Sequence, residues 1–501
     1  MISFEEFERL SQQHNVIPLV RTTLADLHTP VSAYLALRRT DRFSFLLESV
    51  ERDEKIGRYS FVGVDPLAVI RARDGEVEIE RGGNRSTDHR NIFEVLAHLS
   101  ARYRQHLPAG LGGFLGGFVG YIGYPAVRHL ERIGLRTRGE TDEDEAVFGL
   151  FGSVLRFDHR RQTVMIVHNV FIDGSKSIRQ AYDEGRQSMD ALELRLRRSV
   201  VAPHRFSCER ITVDGGRGKE NFCAAVARAK EYIREGEIFQ VVLTRRLEFR
   251  FTGDLFPVYR ALRIINPSPY LFYLDFGDIR LAGSSPEALV RVSEGAVEVL
   301  PIAGTRRRGQ DETEDKLIEA ELLKDRKELA EHVMLVDLGR NDVGKVSDHG
   351  SVCVPTFKHI ERYSHVMHIV SGVQGRLKQG LCALDAIKAC FPAGTVTGAP
   401  KVRAMEIISE LEPVPRGVYA GAVGYLAFDG SLDTCIAIRT IVAYGGRLLV
   451  QAGAGIVADS IPETEYQETV NKAGALIEAL RRAGDGVSSV VNHDEFVEHR
   501  R

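Results

Sequence analysis

Alternating apolar and polar side chains mark the first strands of this chain. Phe43-Ser-Phe-Leu-Leu-Glu-Ser49 reads as one strand and Arg58-Tyr-Ser-Phe-Val-Gly63 as its neighbour, because a period near two turns one face toward a core. The glycine and aromatic run from Gly110 to Tyr124 lacks the spacing of a phosphate loop. It predicts close-packed strands whose glycines admit a neighbouring chain. A related string, Tyr419-Ala-Gly-Ala-Val-Gly-Tyr425, returns late and hints at a second, similar hairpin. Residues 175–200 form a charged helical segment, followed by a linker with Pro203 and Asp214-Gly-Gly-Arg-Gly218. Beyond it, helical patterns cover 219–236, 311–340, 401–411 and 462–483, and strand patterns lie near 238–251, 280–302, 419–428 and 434–452. Helices and strands do not alternate strictly and many strands read as antiparallel, so the fold class is α+β. The pattern divides the chain into an N-terminal domain over 1–205, a second domain over 206–486 and a tail over 487–501.

Composition narrows the functional classes. The 501 residues are 44% apolar and 27% charged, ordinary for a globular protein with a large core. A formal net charge of −3, with Lys and Arg spread along the chain, gives no support for a nucleic-acid partner. No apolar run reaches a membrane span, and the acidic start Met1-Ile-Ser-Phe-Glu-Glu6 lacks a secretion signal's apolar stretch, so a cytoplasmic location is expected. The six scattered cysteines contain no C-x-x-C pair and suit reduced thiols better than disulfides or zinc. The chain has no tryptophan.

Candidate chemistry gathers after residue 280. Glu328 and Glu331 stand one helical turn apart, and Glu465 and Glu468 repeat that spacing. Alone, each pair fits a solvated helix face; converging, the two pairs could hold a hard cation such as Mg²⁺. His365 and His368 would point to opposite faces of a strand, and a structural role fits either. The turn from Gly394 through Thr395, Gly398 and Ala399 opens a helix and offers backbone N–H groups to an anion. Arg439 ends an apolar strand, where a guanidinium can clamp a carboxylate, and Gly453 and Gly455 let backbone approach a ligand closely. Together these suggest a small, multiply anionic metabolite.

The strings Ile238-Phe-Gln-Val-Val242, Gly283-Ser-Ser-Pro-Glu287, PIAGTRRRG from Pro301, AEHVMLVDLGRNDVGKV, YSHVMHIVSGVQG, GTVTGAPKVRAMEII, YAGAVGY, DTCIAIRT, QAGAGIVADS and PETEYQETVNKA occur in this order. In them the chain resembles the chorismate-utilising enzymes, most closely their anthranilate synthase component I branch. The resemblance implies a two-domain fold of large, mostly antiparallel sheets flanked by helices. It implies Mg²⁺ held by Glu331 and Glu468, with Glu328 and Glu465 close by, against the ring carboxylate of chorismate. Glu287 matches the acid near the departing 4-hydroxyl and His368 the histidine of pyruvate loss. Tyr419 and Arg439, helped by Gly453 and Gly455, match the grip on the enolpyruvyl carboxylate. Thr395, Gly398 and Ala399 match the ring-carboxylate side.

Two positions discriminate within the family. Relatives that add water carry a lysine where Gln240 stands, so ammonia fits better here. Aminodeoxychorismate synthases commonly carry a nucleophilic lysine where Ala303 stands, which implies direct addition of ammonia. The resemblance further implies a pocket for feedback by L-tryptophan formed by Leu47, Glu48, Ser49, Pro267, Pro269 and Tyr270. It also implies a separate glutamine amidotransferase subunit, in an assembly of two large and two small chains. An aminodeoxychorismate or aminodeoxyisochorismate synthase, and a non-catalytic tryptophan-sensing relative, are the competing readings.

Overall fold

The computed structural model describes residues 1–39, 42–49, 58–134, 143–197, 205–211, 218–362 and 366–485. Most of the predicted linker, His365 and the C-terminal tail lie outside the described residues.

Among the described residues, two twelve-stranded sheets pair antiparallel throughout. The first runs Val16–Leu24, Thr163–Phe171, Ser153–Asp158, Tyr59–Val64, Ser44–Glu48, Tyr270–Asp275, Ile279–Ser285, Thr440–Tyr444, Arg447–Ile456, Gln240–Gly253 and Phe206–Ile211, with Gly398–Ala399 added beside Gln240. The second runs Ile302–Arg307, Val366–Arg376, Ala296–Val299, Ala288–Ser293, Leu432–Ile436, Ala422–Ala427, Gly117–Ile122, Ala146–Phe151, Ala68–Arg73, Glu76–Arg81 and Asn84–Asp88, with Cys353–Arg362 on Val366–Arg376. Each sheet takes strands from both sides of residue 205.

The sheets pack face to face through Phe45, Phe61 and Phe272 of the first and Val119, Phe151 and Val423 of the second. Helices Pro30–Leu37, Phe256–Ile265 and Pro462–Asp485 cover the outer face of the first sheet. Helices Ile92–Ser100 and Ala383–Cys390 cover that of the second. A large apolar core on both faces of each sheet is what the near-continuous apolar strands require.

The glycine-rich strings are adjacent strands, Gly120 standing opposite Gly424. A Cβ on Gly120 would lie 2.0 Å from the Val147 carbonyl oxygen, and one on Gly424 would lie 2.1 Å from that of Asp433. Backbone therefore fills the space a side chain would take. Gly120→Ala is expected to cost about 3 kcal/mol or more by overpacking, read as a lower urea midpoint at an unchanged slope.

Three predicted elements are divided. The helix over 311–340 is two, Glu312–Leu322 and Arg326–Val346, because Asp325 caps the second by accepting from Lys327 N (3.0 Å) and Glu328 N (3.2 Å). The strand over 280–302 is three short strands, Ile279–Ser285, Ala288–Ser293 and Ala296–Val299. The pattern over 434–452 breaks at Arg439 and at Gly445-Gly446, whose φ values of 55° and 74° form a tight hairpin turn.

Candidate active site

The cap at Asp325 sets Glu328 and Glu331 into the first turns of their helix, and Glu331 comes within electrostatic reach of Glu468 on helix Pro462–Asp485. Burial pushes the Glu331 carboxyl up, and the negative charges of Glu328 and Glu468 push it further. Burial also raises Glu465, with Glu468 adding to it. The carboxylates of the two helices thus feel one another. Arg306 lies 3.4 Å from Glu328 and Lys472 lies 2.5 Å from Glu468, so each pair also meets a cation. Among the described residues, no three potential ligand groups form a complete metal cage. The set is all oxygen and suits a hard cation that completes its shell with water and substrate.

Glu287 follows strand Ile279–Ser285 and lines a cavity of about 60 Å³ with Thr395, Pro301, Leu338 and Ile436. The residue keeps some accessible surface while its carboxyl is enclosed by protein. Burial pushes its carboxyl up to about 7, against the downward pull of the Thr395 hydroxyl and Lys472. The buried Thr395 Oγ1 has no partner at full hydrogen-bond geometry and faces this carboxyl. The backbone of Glu287 is fixed, its carbonyl accepting from Ile436 N at 3.0 Å.

Arg439 adopts a left-handed φ of 51° between strands Leu432–Ile436 and Thr440–Tyr444. Its guanidinium donates to the Lys472 carbonyl at 2.6 Å and makes no ion pair among the described residues. Burial lowers its pKa, with Tyr419 and Glu468 opposing. An ion-pairing carboxylate from a ligand would relieve that cost. Tyr419 stands close by, its hydroxyl 2.9 Å from where a Cβ on Gly453 would lie. The Gly453 carbonyl accepts from Lys472 Nζ at 3.0 Å.

Gln240 pairs with Ala399, and a Cβ on Gly398 would lie 2.1 Å from the Gln240 carbonyl oxygen. The Gln240 side chain fills the space beside Gly455, 2.7 Å from where a Cβ would lie. The Gly398-Ala399 backbone is therefore a strand on Gln240, and helix Lys401–Leu411 begins after it. His368 lies opposite Thr305 beyond a bulge in which Gly304 takes φ 64°. His368 Nδ1 is 3.2 Å from the Gly304 carbonyl oxygen and 3.1 Å from Thr305 Oγ1. A proton donated to the carbonyl makes Nε2 the basic nitrogen, and burial lowers the ring's pKa. Gly304 also joins His368 to the carboxylates, since its Cβ would lie 3.4 Å from Glu328 Oε2.

A second cavity of about 260 Å³ lies between the sheets. Leu47, Glu48, Ser49, Pro269 and Tyr270 line it; Pro267 does not. Pro267 sits in the adjoining turn, where Asn266 and Ser268 bond Ser284. The Glu48 carboxylate is taken by Tyr259 and Arg263. Ser49 Oγ is buried without a partner, as suits a hydroxyl at the rim of a ligand pocket.

Lys472, which meets both the candidate ligand Glu468 and the Gly453 carbonyl, was not expected from the sequence. Its signal was its place one turn after Glu468, at the i,i+4 spacing of an ion pair. Glu412 and Arg416, a buried pair at the same spacing, were not expected either.

Residues 43–478 match the family of chorismate binding enzymes. The chain belongs to that family. As a chorismate-binding enzyme it is 45% identical over 492 residues to anthranilate synthase component 1 of Acetivibrio thermocellus, covering 96% of this chain and 99% of the relative. It is 46% identical over 500 residues to anthranilate synthase component 1 of Pseudomonas aeruginosa, covering 96% and 99%. Among solved structures, anthranilate synthase component I from Streptococcus pneumoniae superposes with a TM-score of 0.73 at 36% identity, covering 91% and 98%. No described helix is long and apolar enough to cross a membrane.

Proposed function

We propose that this chain is the large subunit of an anthranilate synthase, converting chorismate and ammonia to anthranilate, pyruvate and water. The observation that carries the reading is Glu287, a carboxyl that burial pushes up to about 7 and that lines a cavity with Thr395, in a chain similar along its length to anthranilate synthases. Ammonia adds to the ring carbon next to the ring carboxylate. The C–O bond to the 4-hydroxyl breaks with a proton from Glu287, and water leaves. In the second stage a ring proton is lost, His368 Nε2 being the base suited to it, as the bond between the ring carbon and the enolpyruvyl oxygen breaks, and the departing enolate takes up a proton at its methylene carbon to become pyruvate. Arg439 and Tyr419 bind the enolpyruvyl carboxylate, with the Gly453 and Gly455 backbone beside them. Thr395, Gly398 and Ala399 line the ring-carboxylate side.

Glu331 and Glu468, with Glu328 and Glu465 nearby, are the residues to hold Mg²⁺, which neutralises the ring carboxylate when bound. Ala303, buried against Ile369, offers no amine to attack the ring, and this disfavours aminodeoxychorismate synthesis. Gln240 is no base for water, which favours ammonia as the nucleophile. The retained Glu287, Glu331, His368, Arg439 and Glu468 disfavour a non-catalytic sensor. A separate glutamine amidotransferase supplies the ammonia, in an assembly of two large and two small chains. The chain is assigned to the cytoplasm, and the segment before residue 205 supplies part of the feedback pocket.

The test mixes purified chain with chorismate, Mg²⁺ and an ammonium salt at alkaline pH and follows anthranilate fluorescence. A rise establishes the activity; chorismate loss without fluorescence overturns it in favour of an aminated product. L-tryptophan is assigned to the cavity between the sheets, where apolar walls meet the Ser49 hydroxyl. Ser49→Ala is expected to raise the tryptophan concentration for half-inhibition about tenfold, the scale of one lost buried hydrogen bond. Unchanged inhibition removes Ser49 from the pocket.

A further inference from the structure

Arg416 and Glu412 form an ion pair in the interior, their side chains 1% and 6% exposed. The guanidinium donates to Glu412 through Nε (2.9 Å) and Nη2 (2.6 Å). It also donates to two carbonyls from separate segments. Nη1 reaches Val396 (2.7 Å), at the end of the turn carrying Thr395, and Nη2 reaches Val242 (2.7 Å), two residues after Gln240. Glu412 Oε1 in turn accepts from Thr244 N and Thr244 Oγ1, both at 2.9 Å. Gln451 Nε2 donates to the same hydroxyl at 2.7 Å, which brings in the strand of Gly453. Thr244 pairs with Gly453, and Thr244 Cγ2 and the Tyr419 hydroxyl each lie 2.9 Å from where a Gly453 Cβ would stand. The guanidinium lies 5.6 Å from the centre of the Tyr419 ring, three residues along the chain.

A buried ion pair is weak evidence for stability, since well-packed apolar side chains often serve the fold equally well. What an apolar pair cannot do is fix carbonyls and an N–H from separate segments at defined angles. We propose that Arg416–Glu412 is a positioning unit for chorismate, setting the Thr395 turn, the Gln240 strand, Tyr419 and the Gly453 strand relative to one another. Neither residue lines the cavity beside Glu287. The proposal rests on the chorismate reading of the site.

The test replaces both charges together, Glu412→Leu with Arg416→Met, in the full chain assayed with ammonium. The double variant is expected to fold but to melt several degrees below wild type, because the Val396 and Val242 carbonyls and the Thr244 N–H lose their partners, and to show a chorismate KM raised about tenfold or more with kcat changed much less, as a displaced binding group predicts. A folded variant with wild-type KM overturns the proposal. If the double variant does not fold, Thr244→Val decides, because it removes the shared hydroxyl and leaves the ion pair. A KM raised about threefold at an unchanged melting temperature then supports positioning, and an unchanged KM overturns it. A wild-type chain that does not turn over chorismate sinks the functional reading and this proposal together. That outcome is seen before any variant is made, so the two failures are distinct.

Discussion

Glu287→Gln is expected to lower kcat for anthranilate formation by about 10²- to 10⁴-fold, the range lost with a general acid, while chorismate still binds. Glutamine keeps the size and polarity of the acid but has no proton to give the leaving hydroxyl. The wild-type carboxyl is pushed up to about 7 by burial, so its acid form is present below that pH and lost above it. With free ammonia held constant, the Glu287-dependent limb of the profile falls as pH rises through about 7. Stability has the same sign. A carboxyl whose folded pKa lies above its ordinary 4.5 contributes stability that is fully present below 4.5 and lost as pH rises to about 7. The Gln variant should therefore melt above wild type at pH 8 and level with it at pH 4.5. A variant within tenfold of wild-type kcat would remove Glu287 from the acid's role; equal melting at pH 8 would show that the carboxyl is not strained there.

The second large effect is expected at Glu331. Glu331→Gln should abolish Mg²⁺-dependent turnover, because this carboxyl feels both Glu328 on its own helix and Glu468 on helix Pro462–Asp485. Glu328 already meets Arg306, so Glu328→Gln is expected to lose less. Activity need not be the only readout. A cation that binds the folded chain raises its melting temperature with concentration, and Glu331→Gln should flatten that response. Without Mg²⁺ the same variant should melt above wild type near neutral pH, where removing one of several like charges relieves repulsion. A Mg²⁺-dependent shift equal to that of wild type would move the metal elsewhere.

The fold class was legible because period-two runs such as Phe43–Ser49 and long helical patterns such as 462–483 carry it locally. The helix over 401–411 was read to the residue, since Pro400 and Glu412 bracket one amphipathic run. The division of 311–340 was not read, because the N-cap at Asp325 sits inside a charged stretch that looks helical on both sides. The run over 280–302 hid two turns for the complementary reason, apolar residues continuing past them. Among the candidate residues, Glu331 and Glu468 stood out in the sequence through one-turn spacing and Arg439 through a charge ending an apolar strand. Their nearness did not, being set by contacts more than a hundred residues apart in the chain. The Arg416–Glu412 pair escaped because charges four apart usually mark a solvated face; only the packing shows this one inside.

The order of strands bears on how the chain is made. Strands Ala422–Ala427 and Leu432–Ile436 lie between Gly117–Ile122 and Ala288–Ser293 in one sheet. Strands Thr440–Tyr444 and Arg447–Ile456 lie between Ile279–Ser285 and Gln240–Gly253 in the other. A nascent polypeptide stopped near residue 420 has therefore made the strands on both sides of this gap in each sheet and lacks the two interior strands that join them, leaving strand edges open to other chains. The strands that join the two flanks of each sheet are made after the flanks themselves. The cavity beside Glu287 and the cavity between the sheets both take wall residues from 423–436, so a product truncated near residue 420 lacks part of the wall of each.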